Sequence, residues 1–175
     1  MKNFEQRLTG GHPNSLGNTV EIVNEVLANQ NLFDELFDCY FSHDEVVRLR
    51  VSSAMKRICK EKPNYLIPYI DRFLDEIALI NQPSTKWTLA QLFEMLDSHF
   101  TPEQLEQAKS IIKHNLATES DWIVLNISME TLATWGKTDA ELIDWLIPHL
   151  ERLKQDKRKS VSKRANKLLE KVSQR

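Results

Sequence analysis

The sequence predicts an all-α protein, and three observations support this prediction. Apolar residues recur at helical spacing, as in residues 64–80, where they form a single stripe along one helix face. The chain holds only four glycines, and three of them lie in the first seventeen residues, so the rest is poor in the residue that hairpin turns need. No alternating apolar and polar run that would indicate a strand exceeds a few residues.

The predicted helices follow one another in pairs after a leading helix over residues 18–30. The first helices of the pairs carry apolar stripes that include Leu36 and Phe37, Ile70 and Phe73, Leu105 and Ile112, and Leu146 and Leu150. The second helices are expected at residues 45–60, 86–99, 121–135 and 160–172. Residues 1–17 are expected to be a loose N-terminal segment.

The second helices repeat with a nearly constant period. Aligned on Leu27, Met55, Phe93, Leu132 and Leu169, the leading helix and the four second helices are spaced by 28, 38, 39 and 37 residues. Paired helices at a period near forty residues are typical of an α-solenoid. We therefore expect about four helix pairs and the leading helix to form one repeat domain over residues 18–175.

Capping residues and prolines refine this prediction. Asp44 and Asp121 precede the second helices of their pairs and are placed to cap them. The stretches YLIPYIDRFL, from Tyr65, and WLIPHLERLK, from Trp145, are near copies, each with a proline. Pro68 and Pro148 either kink the first helix of their pair or lie in its first turn.

The repeat resembles the HEAT family of α-solenoids. The residues that carry the resemblance are Asp44, Val47, Arg48, Val51, Ala54, Met55 and Ile58. The leader GGHPNSLGNTVEIVNEVL, joined to LFDELFDCYFSHDEVVRLR, is also similar to small bacterial HEAT-repeat proteins of unassigned activity. The chain departs from the HEAT pattern at Gln82 and Arg158, which replace the capping acid. The resemblance implies a concave surface lined by the second helices, and hence a scaffold for protein–protein interaction.

Composition and motifs favour a cytoplasmic protein that uses no cofactor or metal. No stretch approaches the roughly 20 apolar residues of a membrane span, and the N-terminus lacks the apolar region of a secretory signal. Cys39 and Cys59 lack CxxC spacing, which favours a reducing compartment. The five histidines do not occur in metal-binding spacings, no phosphate-binding glycine motif is present, and no catalytic signature occurs. We therefore expect no enzyme activity.

The second helix of the third full pair, residues 121–135, is apolar on two faces. One face carries Val124, Ser128, Leu132 and Trp135, whereas the other carries Leu125, Met129 and Ala133. The positions equivalent to the second face are mostly polar in the preceding second helices: Arg48, Ser52 and Lys56, and Lys86, Ala90 and Glu94. The second face is either buried core or the floor of a binding groove. In the groove interpretation, a protein partner contacts a basic section and an apolar section of the concave surface, formed by Arg48, Ser52, Lys56, Lys86, Trp122, Leu125 and Met129.

The C-terminal residues 154–175 carry a net charge of +7, which leaves −9 for residues 1–153 because the whole chain carries −2. A terminal helix whose outer face is polar explains this charge. The alternative is a nucleic-acid-binding surface formed by Lys157, Arg158, Lys159, Lys163 and Lys167. Because some DNA glycosylases are built from HEAT-like repeats, that alternative includes a repair enzyme in which Asp121 and the neighbouring Trp122 contact damaged DNA.

Overall fold

The computed structural model describes residues 3–174 and confirms the all-α prediction. This part of the chain contains no strand. Its ten α-helices are α1 (Phe4–Leu8), α2 (Thr19–Ala28), α3 (Phe33–Asp38), α4 (Glu45–Glu61), α5 (Ile70–Asp75), α6 (Pro83–Leu96), α7 (Pro102–Thr118), α8 (Trp122–Trp135), α9 (Ala140–Lys154) and α10 (Lys159–Ser173). Short 3-10 turns extend α3, α5 and α6. The chain divides into two compact units, one ending at Phe100 and the other beginning at Thr101.

The predicted helix caps are present. The Asp44 carboxylate accepts a hydrogen bond from the Val46 N–H at 2.8 Å and so caps α4. The Asp121 carboxylate accepts from the N–H groups of Ile123 and Val124 at 2.9 and 3.1 Å and caps α8. Each aspartate therefore satisfies donors that the first helical turn leaves unpaired.

The first unit is organised around α4, which packs against α2 and α6. The face of α4 toward the core carries Val47, Val51, Ala54, Met55 and Ile58, all with zero exposure. Aromatic side chains from α3 and α5 add an edge-to-face cluster, in which the ring of Phe37 lies 5.2 Å from that of Phe73. The apolar stripe of α4, with its spacings of three and four residues, is the one that the sequence predicts.

The N-terminal segment, expected to be loose over residues 1–17, contains a helix and a fixed loop in its described part. Phe4 and Leu8 of α1 are fully buried. Arg50 of α4 is only 3% exposed, and its guanidinium donates hydrogen bonds to four backbone carbonyls of this segment. The acceptors and distances are Leu8 (2.6 Å), Gly10 (2.7 Å), His12 (3.3 Å) and Ser15 (3.2 Å).

Glycine makes this close approach between the loop and Arg50 possible. Gly17 has φ of +50°, and a Cβ at this position would lie 3.0 Å from the Arg50 guanidinium. Gly10 has φ of +74°, in the region that L residues rarely adopt. The polar composition that suggested a loose segment therefore belongs to a loop that is fixed through its backbone.

The second unit consists of α7, α8, α9 and α10. Helix α8 packs against each of the other three, and α9 and α10 pack against each other. Its core is aliphatic and includes Ile112, Leu116, Val124, Leu132, Leu146, Leu150, Val161 and Ala165.

The two similar proline stretches fold differently. Pro68 lies in a 3-10 turn, Ile67–Tyr69, that precedes α5. Pro148 lies inside α9, which begins eight residues earlier at Ala140 behind the cap Asp139. Upstream of Pro68, a second proline, Pro63, begins another 3-10 turn and leaves no room for a preceding helix. The first-turn interpretation therefore fits Pro68 better, whereas Pro148 is an interior helix proline.

Candidate functional site

Two residues of the predicted groove, Arg48 and Ser52, have structural roles on α4. The Arg48 Nε donates to the Gln82 side-chain oxygen at 2.6 Å, and its Nη1 donates to the Ser42 carbonyl at 2.6 Å. Ser52 is 1% exposed, and its hydroxyl donates to the Arg48 carbonyl at 2.8 Å. The prediction that Ser52 lines an open groove is therefore wrong, because its side chain faces the core.

The two predicted lysines of the first unit are half-buried and reach neutral acceptors. Lys56 Nζ on α4 lies 3.3 Å from the side-chain oxygen of Gln91 on α6. Lys86 Nζ lies 2.9 Å from the side-chain oxygen of Asn81.

The apolar strip of α8 is buried core. Met129 has no exposed surface and Leu125 is 2% exposed, whereas Trp122 is 48% exposed at the start of the helix. A helix that is apolar on most of its circumference is buried on most of it, which is the case for α8 between α7, α9 and α10. Leu125 and Met129 are therefore not the floor of an open groove.

The C-terminal basic residues divide into paired and exposed groups. The Arg158 guanidinium binds Asp156 at 2.8 Å and also donates to the Ser120 carbonyl, so it holds the start of α10. Arg164 pairs with Glu130 of α8. In contrast, Lys157, Lys159, Lys163 and Lys167 are exposed. A cleft of about 360 Å³ on α9 and α10 is lined by Lys154, Ser162, Lys163, Asn166, Lys167 and Glu170.

A cleft of about 550 Å³ lies between α2 and α4 in the first unit. Helix α2 forms one wall with Val20, Val23, Asn24 and Leu27, and α4 forms the other with Ser53, Lys56, Arg57, Lys60 and Glu61. A second cleft of about 380 Å³ lies on the other side of Lys56 and Lys60, against Gln91, Glu94 and Met95 of α6. We call Lys56, Arg57 and Lys60 the α4 basic ridge.

The positive charges of the α4 basic ridge are not neutralised by ion pairs among the described residues. None of its three side chains forms an ion pair with a carboxylate of residues 3–174. Burial, followed by repulsion from Lys60 and Arg57, lowers the pKa of Lys56 below its ordinary value. A carboxylate supplied by another molecule would offset the repulsion among the three cations and pair with the Lys56 ammonium, so the ridge is suited to binding anions.

The sequence pointed to Lys56 but missed the rest of this site. The comparison of repeat positions singled out Arg48, Ser52 and Lys56, which are spaced by four residues. Lys60 lies four residues after Lys56 and three residues after Arg57, so it neighbours both on the helix surface. Their spacing was a usable signal, whereas the contribution of α2 depends on how it packs against α4.

Of the two residues considered for contact with damaged DNA, Trp122 is 48% exposed, whereas Asp121 serves as a helix cap. Trp135 is 6% exposed. The ring of His149 stacks on that of Trp145 at 4.1 Å, with Lys113 Nζ 4.8 Å from the Trp145 ring. Residues 3–174 contain no cluster of three or more side chains suited to hold a metal ion. Within the same residues, every helix is too short or too polar to cross a membrane.

Comparison with known proteins identifies no relative: no family model matches the chain, and a search of curated proteins finds no significant match.

Proposed function

We propose that this chain is a non-catalytic adaptor of the HEAT-repeat type, an α-solenoid that binds another protein through the surface of its second helices. The helix packing within each unit supports this proposal. In the first unit α4 packs against α2 and α6, and in the second unit α8 packs against α10. These are the helices that the period near forty residues selects as successive second helices. Cys39 and Cys59 are buried and unpaired, which fits the reducing cytoplasm.

The α4 basic ridge is the observation that carries the binding proposal. Three cations beside two clefts, without a carboxylate partner among the described residues, form a surface whose charge is not used to stabilise the fold. Of the seven residues of the predicted groove, Lys56 is the one that lines these clefts. The binding surface that we propose therefore keeps Lys56 and replaces the α8 strip with Arg57, Lys60 and the wall of α2.

Affinity capture from native lysate, followed by mass spectrometry, tests the adaptor function. The bait is the full chain, compared with the ridge reversal Lys56→Glu/Lys60→Glu and with the matched tail reversal Lys163→Glu/Lys167→Glu. We expect a protein that the wild type and the tail reversal retain and the ridge reversal loses. Specific capture of no protein by the wild type would contradict the adaptor function.

The second candidate function is nucleic-acid binding through the C-terminal lysines, including a glycosylase-type repair activity. The exposed side chains of Lys157, Lys159, Lys163 and Lys167 favour it. Phosphate contacts make affinity fall steeply with salt. Polarisation measurements with a fluorescent DNA duplex between 50 and 200 mM salt, and a base-release assay on alkylated DNA, test this candidate. Salt-sensitive binding that the tail reversal abolishes would support it over the adaptor.

A further inference from the structure

The cleft between α2 and α4 has two chemically different walls. Val20 of α2 is 42% exposed, and Val23 and Leu27 extend the same apolar wall. The opposite wall presents the α4 basic ridge. An occupant that fits both walls must therefore carry apolar and negatively charged groups side by side.

The volume of the cleft indicates the size of this occupant. About 550 Å³ lies within the range of roughly 300–1,000 Å³ that is usual for ligand sites. A single small anion would leave most of this space and the apolar wall unused. A short peptide segment with a large aliphatic side chain and neighbouring carboxylates fills both parts.

We infer that this cleft binds an acidic peptide segment of a partner protein, with an aliphatic side chain against α2 and carboxylates against Lys56, Arg57 and Lys60. This inference rests on the proposed adaptor function and specifies the chemistry of the partner. Charge complementarity carries it, because the three cations have no carboxylate partner within residues 3–174. Lys56 is half-buried and its Nζ lies 3.3 Å from a neutral amide oxygen, so a carboxylate there would add the attraction of an ion pair to the hydrogen bond.

The surroundings of the cleft favour a peptide over a nucleic acid. No aromatic residue lines the clefts on either side of the ridge, so bases have no ring on which to stack. Glu61 and Glu94 line the same clefts and restrict favourable sites for negative charge to the three cations, which disfavours a continuous run of phosphates more than a peptide with a few carboxylates. The apolar wall of α2 also offers no favourable contact to a phosphate backbone.

The cleft is held in shape before a partner arrives. Arg50 fastens the loop that leads into α2 to the middle of α4. Arg7 of α1 pairs with Glu25 of α2 at 2.6 Å. A preformed site avoids part of the entropy cost of ordering on binding.

Selection of peptides from a random 12-residue phage library, with the full chain as target, tests this inference. We expect enriched sequences to combine aspartate or glutamate with leucine, isoleucine or phenylalanine. Synthetic peptides of these sequences should bind the ridge reversal Lys56→Glu/Lys60→Glu about tenfold more weakly or worse, and the tail reversal Lys163→Glu/Lys167→Glu as tightly as the wild type. Val20→Ser should weaken binding severalfold without altering the preference for acidic peptides. Melting curves verify folding, and Lys56→Gln/Lys60→Gln replaces the ridge reversal if that variant unfolds.

Three results would overturn the inference: enrichment of no sequence or of basic sequences, equal losses in the ridge and tail variants, or ridge-dependent binding of a 20-nucleotide DNA in preference to the peptides. The lysate experiment distinguishes this failure from failure of the adaptor function. A captured protein that is lost with the ridge reversal would leave the adaptor function standing even if no acidic peptide were selected.

Discussion

Helices α4 and α8 each form the centre of their unit, yet their outer positions differ in chemistry. Helix α4 carries seven charged residues among seventeen, whereas α8 carries one, Glu130, among fourteen. In the sequence alignment of the second helices, Arg48, Ser52 and Lys56 of α4 occupy the positions equivalent to Leu125, Met129 and Ala133 of α8. Burial agrees at two of these three pairs, because Ser52 and Met129 are both buried and Lys56 and Ala133 are both half-buried. At the third pair Arg48 is half-buried, whereas Leu125 is buried.

This comparison teaches that positions aligned by the sequence period can be similarly buried and still differ in chemistry. The position of a residue within a repeat predicts which side of its helix it occupies. Whether that side is covered depends on which neighbours pack there and on whether the side chains can lose water at low cost. A charged helix face is stable when it is solvated or paired with a group of opposite charge, whereas an apolar face is stabilised when other helices bury it.

The largest expected effect comes from Met129→Glu in α8. The change places an unpaired carboxylate in the core, and we expect the free energy of unfolding to fall by about 3–5 kcal/mol. The same substitution on the cleft side of α4, Lys56→Glu, should alter it by about 0.5 kcal/mol because Lys56 borders solvent. Urea denaturation followed by circular dichroism measures both. A small effect of Met129→Glu would show that α8 is exposed on this face, and the contrast between the helices would fail.

The next effect concerns Arg50, the buried charge of α4. Arg50→Met keeps the bulk of the side chain but leaves four loop carbonyls without their donor, so we expect a loss of about 2–3 kcal/mol. Arg57→Met, on the exposed side of the same helix, is the control and should cost about 0.5 kcal/mol. Faster proteolysis within residues 9–17 should accompany the Arg50 change. Unchanged proteolysis would mean that Arg50 does not hold the loop.

A smaller effect is expected from Gly17→Ala, which tests how the loop meets α4. The backbone conformation at Gly17 costs an L residue about 1–2 kcal/mol, and the new Cβ would press on Arg50. Gly10→Ala is the control, because its φ is also positive but no atom lies within 4 Å of its Cβ. We expect Gly17→Ala to cost about 2 kcal/mol and Gly10→Ala about 1 kcal/mol in urea denaturation. Equal costs would mean that the approach to Arg50 is not tight.

The smallest effect is a pH-dependent one at the start of α10. Hydrogen bonds from the Arg158 side chain and backbone lower the pKa of Asp156 from 3.8 to about 2. The ionised form is therefore favoured in the folded state, and its contribution is complete above pH 3.8 and disappears as the pH falls toward 2. Asp156→Asn should cost at most about 1 kcal/mol at pH 7, because Arg158 is largely exposed. The difference between variant and wild type should vanish near pH 2, and a difference that stayed constant with pH would contradict this assignment.

Much of the fold was predictable because it depends on short-range patterns. Helical periodicity gave the all-α class, and Asp44 and Asp121 are caps because their side chains reach N–H groups two or three residues away. The expected loose N-terminal segment was the main difference. The contacts that fix it join Arg50 to residues 35 to 42 positions earlier, and no local pattern reveals them.

The candidate site was predictable only in part. Lys56 was identified by its repeat position, whereas Ser52 was placed on the wrong side, since one position at the edge of a stripe can point either way. The two proline stretches show the same limit, because similar decapeptides that share the Leu-Ile-Pro core give a 3-10 turn at Pro68 and a continuous helix at Pro148. The residues upstream differ, since Pro63 precedes one stretch and the first turn of α9 precedes the other.

The sequence by itself determined the helical class, the order and approximate bounds of most helices, and the residues of the apolar stripes, because spacing along the chain sets which side chains share a helix face. The tertiary structure alone decided that α8 is covered, that the N-terminal loop is fastened by Arg50, and that α2 supplies an apolar wall opposite the α4 basic ridge. These features join residues distant in sequence, and burial and hydrogen bonding between such residues exist only once the helices have packed.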